Sequence, residues 1–168
     1  PSAMISGVVY AAGVYLDAGG QPVDENGDPL ADPAVSANAS VTLRSSSITR
    51  TIQADTNGLF GSGAWLTLGR YNLAAAPLTG NDGATGAVTL AYNGQVGWVP
   101  LALAGQGSVT GVVLDSLGVN PVNAARVTLY SGSRYTAGPV TRFTDADGQF
   151  AFSDVPVGSF SLAVETTL

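Results

Sequence analysis

Cysteine, histidine and lysine are all missing from this sequence. Without His or Cys, the common zinc sites, the Ser-His-Asp and Cys-His nucleophile systems, and haem or iron-sulfur ligation cannot be assembled. Without Lys, neither a Schiff base nor the lysine of a phosphate-binding loop is available. What remains is the chemistry of carboxylates, hydroxyls and hard, oxygen-ligated cations. The lack of Cys fits a reducing compartment and equally a secreted bacterial protein held together by its core, so it does not choose a location.

Charge is also scarce. Charged residues make up 11% of the chain, the net charge is −6, and the cations are all arginine: Arg44, Arg50, Arg70, Arg126, Arg134 and Arg142. An acidic chain lacks the attraction that drives binding to phosphate backbones or anionic lipid, so no nucleic-acid partner is expected. Gly, Pro, Asn or Asp interrupts every apolar run short of the roughly 18 residues of a spanning helix, so no transmembrane segment is expected. No signal peptide is visible. Pro1-Ser2-Ala3-Met4 reads as a vector-derived leader and is set aside from the fold. No segment keeps a helical period over ten or more residues.

Against these absences stand 45% hydrophobic residues and 22 glycines, the composition of short strands joined by tight turns. An all-β fold is expected. The order of signals also repeats. Asp55-Thr56-Asn57-Gly58-Leu59-Phe60 lies beside Asp145-Ala146-Asp147-Gly148-Gln149-Phe150, with Asp, Gly and Phe coinciding. Tyr71-Asn72-Leu73 answers Phe160-Ser161-Leu162, Val41-Thr42-Leu43 answers Val127-Thr128-Leu129, and Ser6-Gly7-Val8-Val9 answers Thr110-Gly111-Val112-Val113. Two tandem modules of one kind are therefore expected, residues 5–104 and 107–168, meeting near Ala104 to Gly107. The first carries a Gly/Pro/Asp-rich insertion at about 17–37.

Alternation bounded by turn residues predicts strands in the first module at Ile5 to Tyr10, Ser40 to Arg44, Arg50 to Ala54, Leu59 to Phe60, Arg70 to Ala75, Ala87 to Tyr92 and Val96 to Leu103. Val99, Leu101 and Leu103 should point inward. In the second module strands are predicted at Val109 to Leu114, Arg126 to Tyr130, Val140 to Thr144, Gln149 to Phe152 and Ser159 to Val164. There Phe160, Leu162 and Val164 should share a buried face with Val127, Leu129, Phe150 and Phe152. The first module continues past its Tyr71-x-Leu73 strand with two more strands. The second has no equivalents, so its sandwich is expected to be truncated.

The run from Gly111-Val112-Val113-Leu114-Asp115 through Pro121-Val122-Asn123-Ala124-Ala125-Arg126-Val127-Thr128-Leu129 and Thr144-Asp145-Ala146-Asp147-Gly148-Gln149-Phe150 to Val155-Pro156-Val157-Gly158-Ser159-Phe160-Ser161-Leu162 resembles the carboxypeptidase regulatory-like family. That family is akin to the B-type repeats of bacterial surface proteins. The resemblance implies two Ig-like (prealbumin-like) β-sandwich domains, found in tandem on secreted or surface-anchored proteins and without catalysis of their own. Enzymes related to this fold use histidine, which this chain lacks. Some surface repeats form Lys-Asn cross-links, which cannot form without lysine.

Chemistry is left to the acidic turns and the exposed aromatics. Asp145, Asp147 and Asp154 are candidate calcium ligands, since hard carboxylate oxygens suit that ion. The distal Glu of an EF-hand is missing, and the same residues suit a hydrogen-bonded hairpin turn facing water. Asp24, Glu25, Asn26, Asp28 and Asp32 form a second acidic group in the insertion. Asn38-Ala39-Ser40 matches a glycosylation sequon. Trp65 and Trp98 fall out of phase with their apolar neighbours and are candidates for stacking on a ligand. The expected function is a non-catalytic structural or adhesive spacer, outside the cell or on its surface, whose partners are neighbouring modules of the same protein. The alternative is an accessory module of a secreted enzyme that binds carbohydrate or protein. No cofactor is expected beyond calcium.

Overall fold

The structure, a computed structural model, describes residues 1–133 and 138–166. Among them there is no helix, and therefore none long and apolar enough to cross a membrane. The chain is all-β and divides into two compact units, Pro1–Gly105 and Gln106–Leu168.

The first unit contains β1 (Ser2–Tyr10), β2 (Tyr15–Leu16), β3 (Pro22–Val23), β4 (Ser40–Arg44), β5 (Thr49–Gln53), β6 (Leu59–Gly61), β7 (Leu66–Thr67), β8 (Gly69–Ala76), β9 (Ala84–Leu90) and β10 (Val96–Ala102). One sheet runs β5-β4-β8-β9, antiparallel throughout. The facing sheet runs β10-β1-β6, with β7 also on β1, and its β1-β10 pair is parallel. The period-2 pattern of each strand sends alternate side chains between the sheets. Ile5, Val9, Phe60, Val99 and Leu101 from one sheet meet Val41, Leu43, Tyr71, Leu73 and Leu90 from the other in a single buried cluster.

The second unit contains β11 (Gln106–Val112), β12 (Arg126–Ser131), β13 (Val140–Phe143), β14 (Gln149–Pro156) and β15 (Phe160–Glu165). Its sheets are β11-β14 and β13-β12-β15. The buried cluster is smaller: Val127, Leu129 and Phe152, with Val109, Val113, Phe150 and Val155 packed against it.

The same local devices occur in both units. Gly7 faces Phe60 across β1-β6, and Gly111 faces Phe150 across β11-β14. A Cβ on Gly7 would come 2.5 Å from the Phe60 ring, and one on Gly111 would come 2.6 Å from the Phe150 ring, so each ring occupies the space over its glycine. Across the neighbouring hairpins, the Thr42 and Thr51 hydroxyls bond at 3.1 Å and those of Thr128 and Thr141 at 3.2 Å. Asn38 and Ala124 both sit at φ 55°, immediately before the buried Ala39 and Ala125.

Several expectations need correction. The leading residues belong to the fold: β1 begins at Ser2, and Ala3 is fully buried opposite Leu66. The insertion is not all loop: its β3 pairs with β2 just before it, and Val23 is buried. Strand β11 runs Gln106–Val112, earlier than Val109 to Leu114. Just past its end the Val113 N–H donates to the Gly148 carbonyl and the Val113 carbonyl accepts from Val122. The main error concerns Phe160, Leu162 and Val164, which are 48%, 39% and 47% exposed. Alternation puts them on one face of β15. Among the described residues, nothing like β9 and β10 lies over that face.

Candidate functional site

The acidic turns at Asp55 and Asp145 are built on one pattern, Asp-x-x-Gly-x. Asp55 Oδ1 accepts the N–H groups of Asn57 (2.8 Å) and Leu59 (2.9 Å), while the Gly58 N–H donates to the Asp55 carbonyl (3.1 Å). At Asp145 the same oxygen accepts from Asp147 (3.0 Å) and Gln149 (2.8 Å), and the Gly148 N–H donates to the Asp145 carbonyl (3.0 Å). The chain reverses only with a left-handed residue at the fourth position, and Gly58 and Gly148 stand at φ 72° and 71°. A side chain there is also blocked by a backbone carbonyl, that of Val9 or of Val113, each 2.7 Å from the would-be Cβ.

The pattern recurs at three more aspartates. Asp17 Oδ1 takes the N–H groups of Gly19 and Gln21, and Asp115 Oδ1 takes those of Leu117 and Val119. In the insertion, Asp24 Oδ1 takes those of Asn26 and Asp28, both at 2.9 Å. The Asn120 side-chain amide at 2.7 Å, helped by the Val119 N–H, holds the Asp115 carboxyl below its ordinary range. The Asp28 N–H does the same for Asp24. Such bonds stabilise the charged form of a carboxylate.

Asp145, Asp147 and Asp154 are not gathered into one group. Asp145 uses its Oδ1 on the turn, Asp147 contributes its N–H to that oxygen, and Asp154 lies in β14 at φ 57°. Among the described residues, no group of three acidic side chains is placed to hold a metal. Trp98 is on β10, on the side away from the buried Val99 and Leu101, and is 56% exposed. Trp65 precedes β7 and is 61% exposed. Asn38 of the sequon is exposed and left-handed.

One acidic residue went unread in the sequence. Asp82 is buried, and its Oδ1 accepts the N–H of Gly83 at 2.6 Å while both its oxygens lie 3.0 Å from the N–H of Gly105. It fastens the end of the first unit to the turn before β9. The signal was Gly80-Asn81-Asp82-Gly83, a cluster of turn formers in which a carboxylate can cap several amides.

The geometry is that of a β-sandwich scaffold in which the carboxylates of Asp17, Asp24, Asp55, Asp82, Asp115 and Asp145 accept backbone amides. No family model matches the chain, and no curated protein matches it. Among solved structures it is similar to a streptococcal ancillary pilin, with TM-score 0.54 and 13% identity over 98% of this chain and 54% of that one. The chain thus spans about half the length of that pilin. It also aligns with the shaft pilin SpaA of Lactobacillus rhamnosus GG (TM-score 0.38, 10% identity, 100% of this chain, 89% of that one). A DUF3823 family protein from Parabacteroides merdae aligns with TM-score 0.39 and 15% identity over 98% of this chain and 80% of that one. The first likeness supports the all-β fold.

Proposed function

We infer that this chain is a pair of non-catalytic spacer modules, structural or adhesive, from a secreted or surface-attached protein, and that its partners are neighbouring modules. The observation that carries this reading is what the carboxylates do. In a chain without His, Lys or Cys they are the main chemical groups left, and those of Asp17, Asp24, Asp55, Asp115 and Asp145 accept backbone amides that shape turns. Side chains committed to the fold suit a protein whose product is its shape.

Two further features support the reading. The shared Gly-Phe, Thr-Thr and Asp-x-x-Gly devices favour two copies of one module, residues 5–104 and 107–168, and tandem copying is how spacers gain length. The fold likeness to an ancillary pilin favours a surface setting. The test is replacement in the parent protein. An unrelated pair of sandwiches of equal span should preserve function, and antibody to this segment should label intact cells. Loss of function with the replacement, together with glycan or protein binding abolished by Trp98→Ala or Trp65→Ala, would instead establish a binding module.

A further inference from the structure

The two tryptophans of the chain, distant in sequence, come to the same face of one sheet. In the β10-β1-β6 sheet of the first unit, Ile5, Phe60 and Val99 turn into the core, so their neighbours Met4, Ser6, Leu59, Gly61, Val96 and Trp98 turn outward. The outward positions lie in rows across β1. Ser6 stands between Trp98 on β10 and Gly61 on β6. Met4 has Val96 on its β10 side. On its other side the ladder bulges: the Ser62 N–H bonds the Ile5 carbonyl and Leu66 pairs with Ala3, which leaves Gly63, Ala64 and Trp65 opposite Met4 alone. Leu66 is buried in the core, so alternation sends Trp65 outward beside Met4. Trp65, Trp98, Val96 and Leu59 are 61%, 56%, 61% and 45% exposed, and none of these outward residues carries a charge.

We propose that this face docks a second copy of the chain, sheet against sheet, about a two-fold axis parallel to β1. Such an axis exchanges the β10 side with the β6 side and keeps each row at its height. Trp98 of each copy then enters the gap over the partner's Gly61, where no side chain stands, and Trp65 covers the partner's Val96. Projection meets recess twice over, as an isologous contact requires. The observations favour this occupant over others. β1 is hydrogen-bonded on both sides, so an extended peptide laid on the face would find no backbone partner there. The absence of charge gives a polar or ionic partner nothing to pair with. The four exposed side chains offer on the order of 500 Å² per copy, so a pair buries about 1,000 Å², the lower bound for a specific interface and the size of a weak, reversible one. The same axis leaves both copies running in one direction, as copies attached side by side to one surface would; the pairing itself does not depend on that setting.

The test follows sedimentation and tryptophan emission of the full chain as its concentration rises from about 1 μM to about 1 mM. Both tryptophans lie on this face and the chain has no others, so the emission reports on the face alone. Monomer should give way to dimer with a midpoint of about 0.1–1 mM, the emission moving to shorter wavelength in step. Gly61→Arg should raise the midpoint at least about tenfold by placing a charge in the socket. The fold should keep its melting temperature, because Gly61 is not left-handed and a Cβ there meets only the Ile5 carbonyl, at 3.9 Å. Ser6→Arg, in the same row, should do the same and serves if the first variant fails to fold. The proposal is overturned if the chain is still monomeric with unshifted emission at the highest concentration. It is equally overturned if the dimer forms without an emission shift or survives a folded arginine variant unweakened. An emission shift that appears only on adding cellohexaose, a neutral oligosaccharide, would make the face a glycan site and overturn it as well.

Discussion

Leu73 and Leu162 are the same residue at the same place in corresponding strands, two positions beyond an aromatic, yet one is 2% exposed and the other 39%. Both strands alternate correctly, and both pair in register with the strand that precedes them in their sheet. The difference lies in the packing: Leu73 shares a buried cluster with Val99 and Leu101 in the first unit, whereas Leu162 belongs to no buried cluster of the second. Alternation therefore decides which side chains share a face, and topology decides whether that face is interior.

The largest effect should come from testing that pair directly. Leu73→Ala is expected to cost the first unit about 2–5 kcal/mol, the usual range for a cavity in a closed core. Leu162→Ala should cost the second about 1 kcal/mol or less, since its side chain is only partly removed from water. Denaturant unfolding of both variants measures the gap, and equal losses would break the comparison.

The turns should behave in the opposite way. Gly58→Ala and Gly148→Ala meet the same left-handed backbone and the same carbonyl at 2.7 Å, so each should destabilise its own unit by about 2 kcal/mol or more. A clear inequality, read by calorimetry, would show that the matching turns do not do matching work.

Acid provides a weaker probe. The carboxyls of Asp24 in the first unit and Asp115 in the second are held below the ordinary value of 3.8. A depressed carboxyl adds stability that is fully present above its unfolded value and is lost as pH falls through its folded value. Melting temperatures should therefore be level above about pH 5 and decline below about pH 4. Asp115→Asn should flatten the decline in the second unit alone, and Asp24→Asn in the first alone. Both effects should be small and should shrink with added salt, because these groups are exposed. The smallest response is expected from calcium. At millimolar concentration it should move either melting temperature by only a few degrees, because Asp145 Oδ1 is already committed to two amides. A rise above about 10 °C would restore the acidic turns as ion sites.

Much of this arrangement is legible in the residues. Strand β4 falls at Ser40–Arg44 as the alternation predicts, and Val99, Leu101 and Leu103 are buried as expected. The acidic turns were located correctly by residue type, but residue type cannot say what a carboxylate binds. An Asp followed by Gly at the fourth position can serve an ion or its own backbone, and the hydrogen bonds show Asp55 and Asp145 doing the second. Pairs as short as Tyr15–Leu16 and Leu66–Thr67 carry no period to read. Phe160 was misplaced because alternation within one strand does not contain what packs against its face.

The parallel pairing of β1 with β10 has a mechanical consequence. The strand that opens the first unit and the strand that closes it lie side by side, in register from Met4 with Val96 to Tyr10 with Ala102. A pull on the two ends of the unit would therefore drag these strands past each other lengthwise. The evenly spaced bonds of a parallel ladder would then bear the load together, rather than opening one at a time like a zip. Held in that geometry, the unit behaves as a stiff link under tension, with its yield set by the rate at which the whole ladder ruptures.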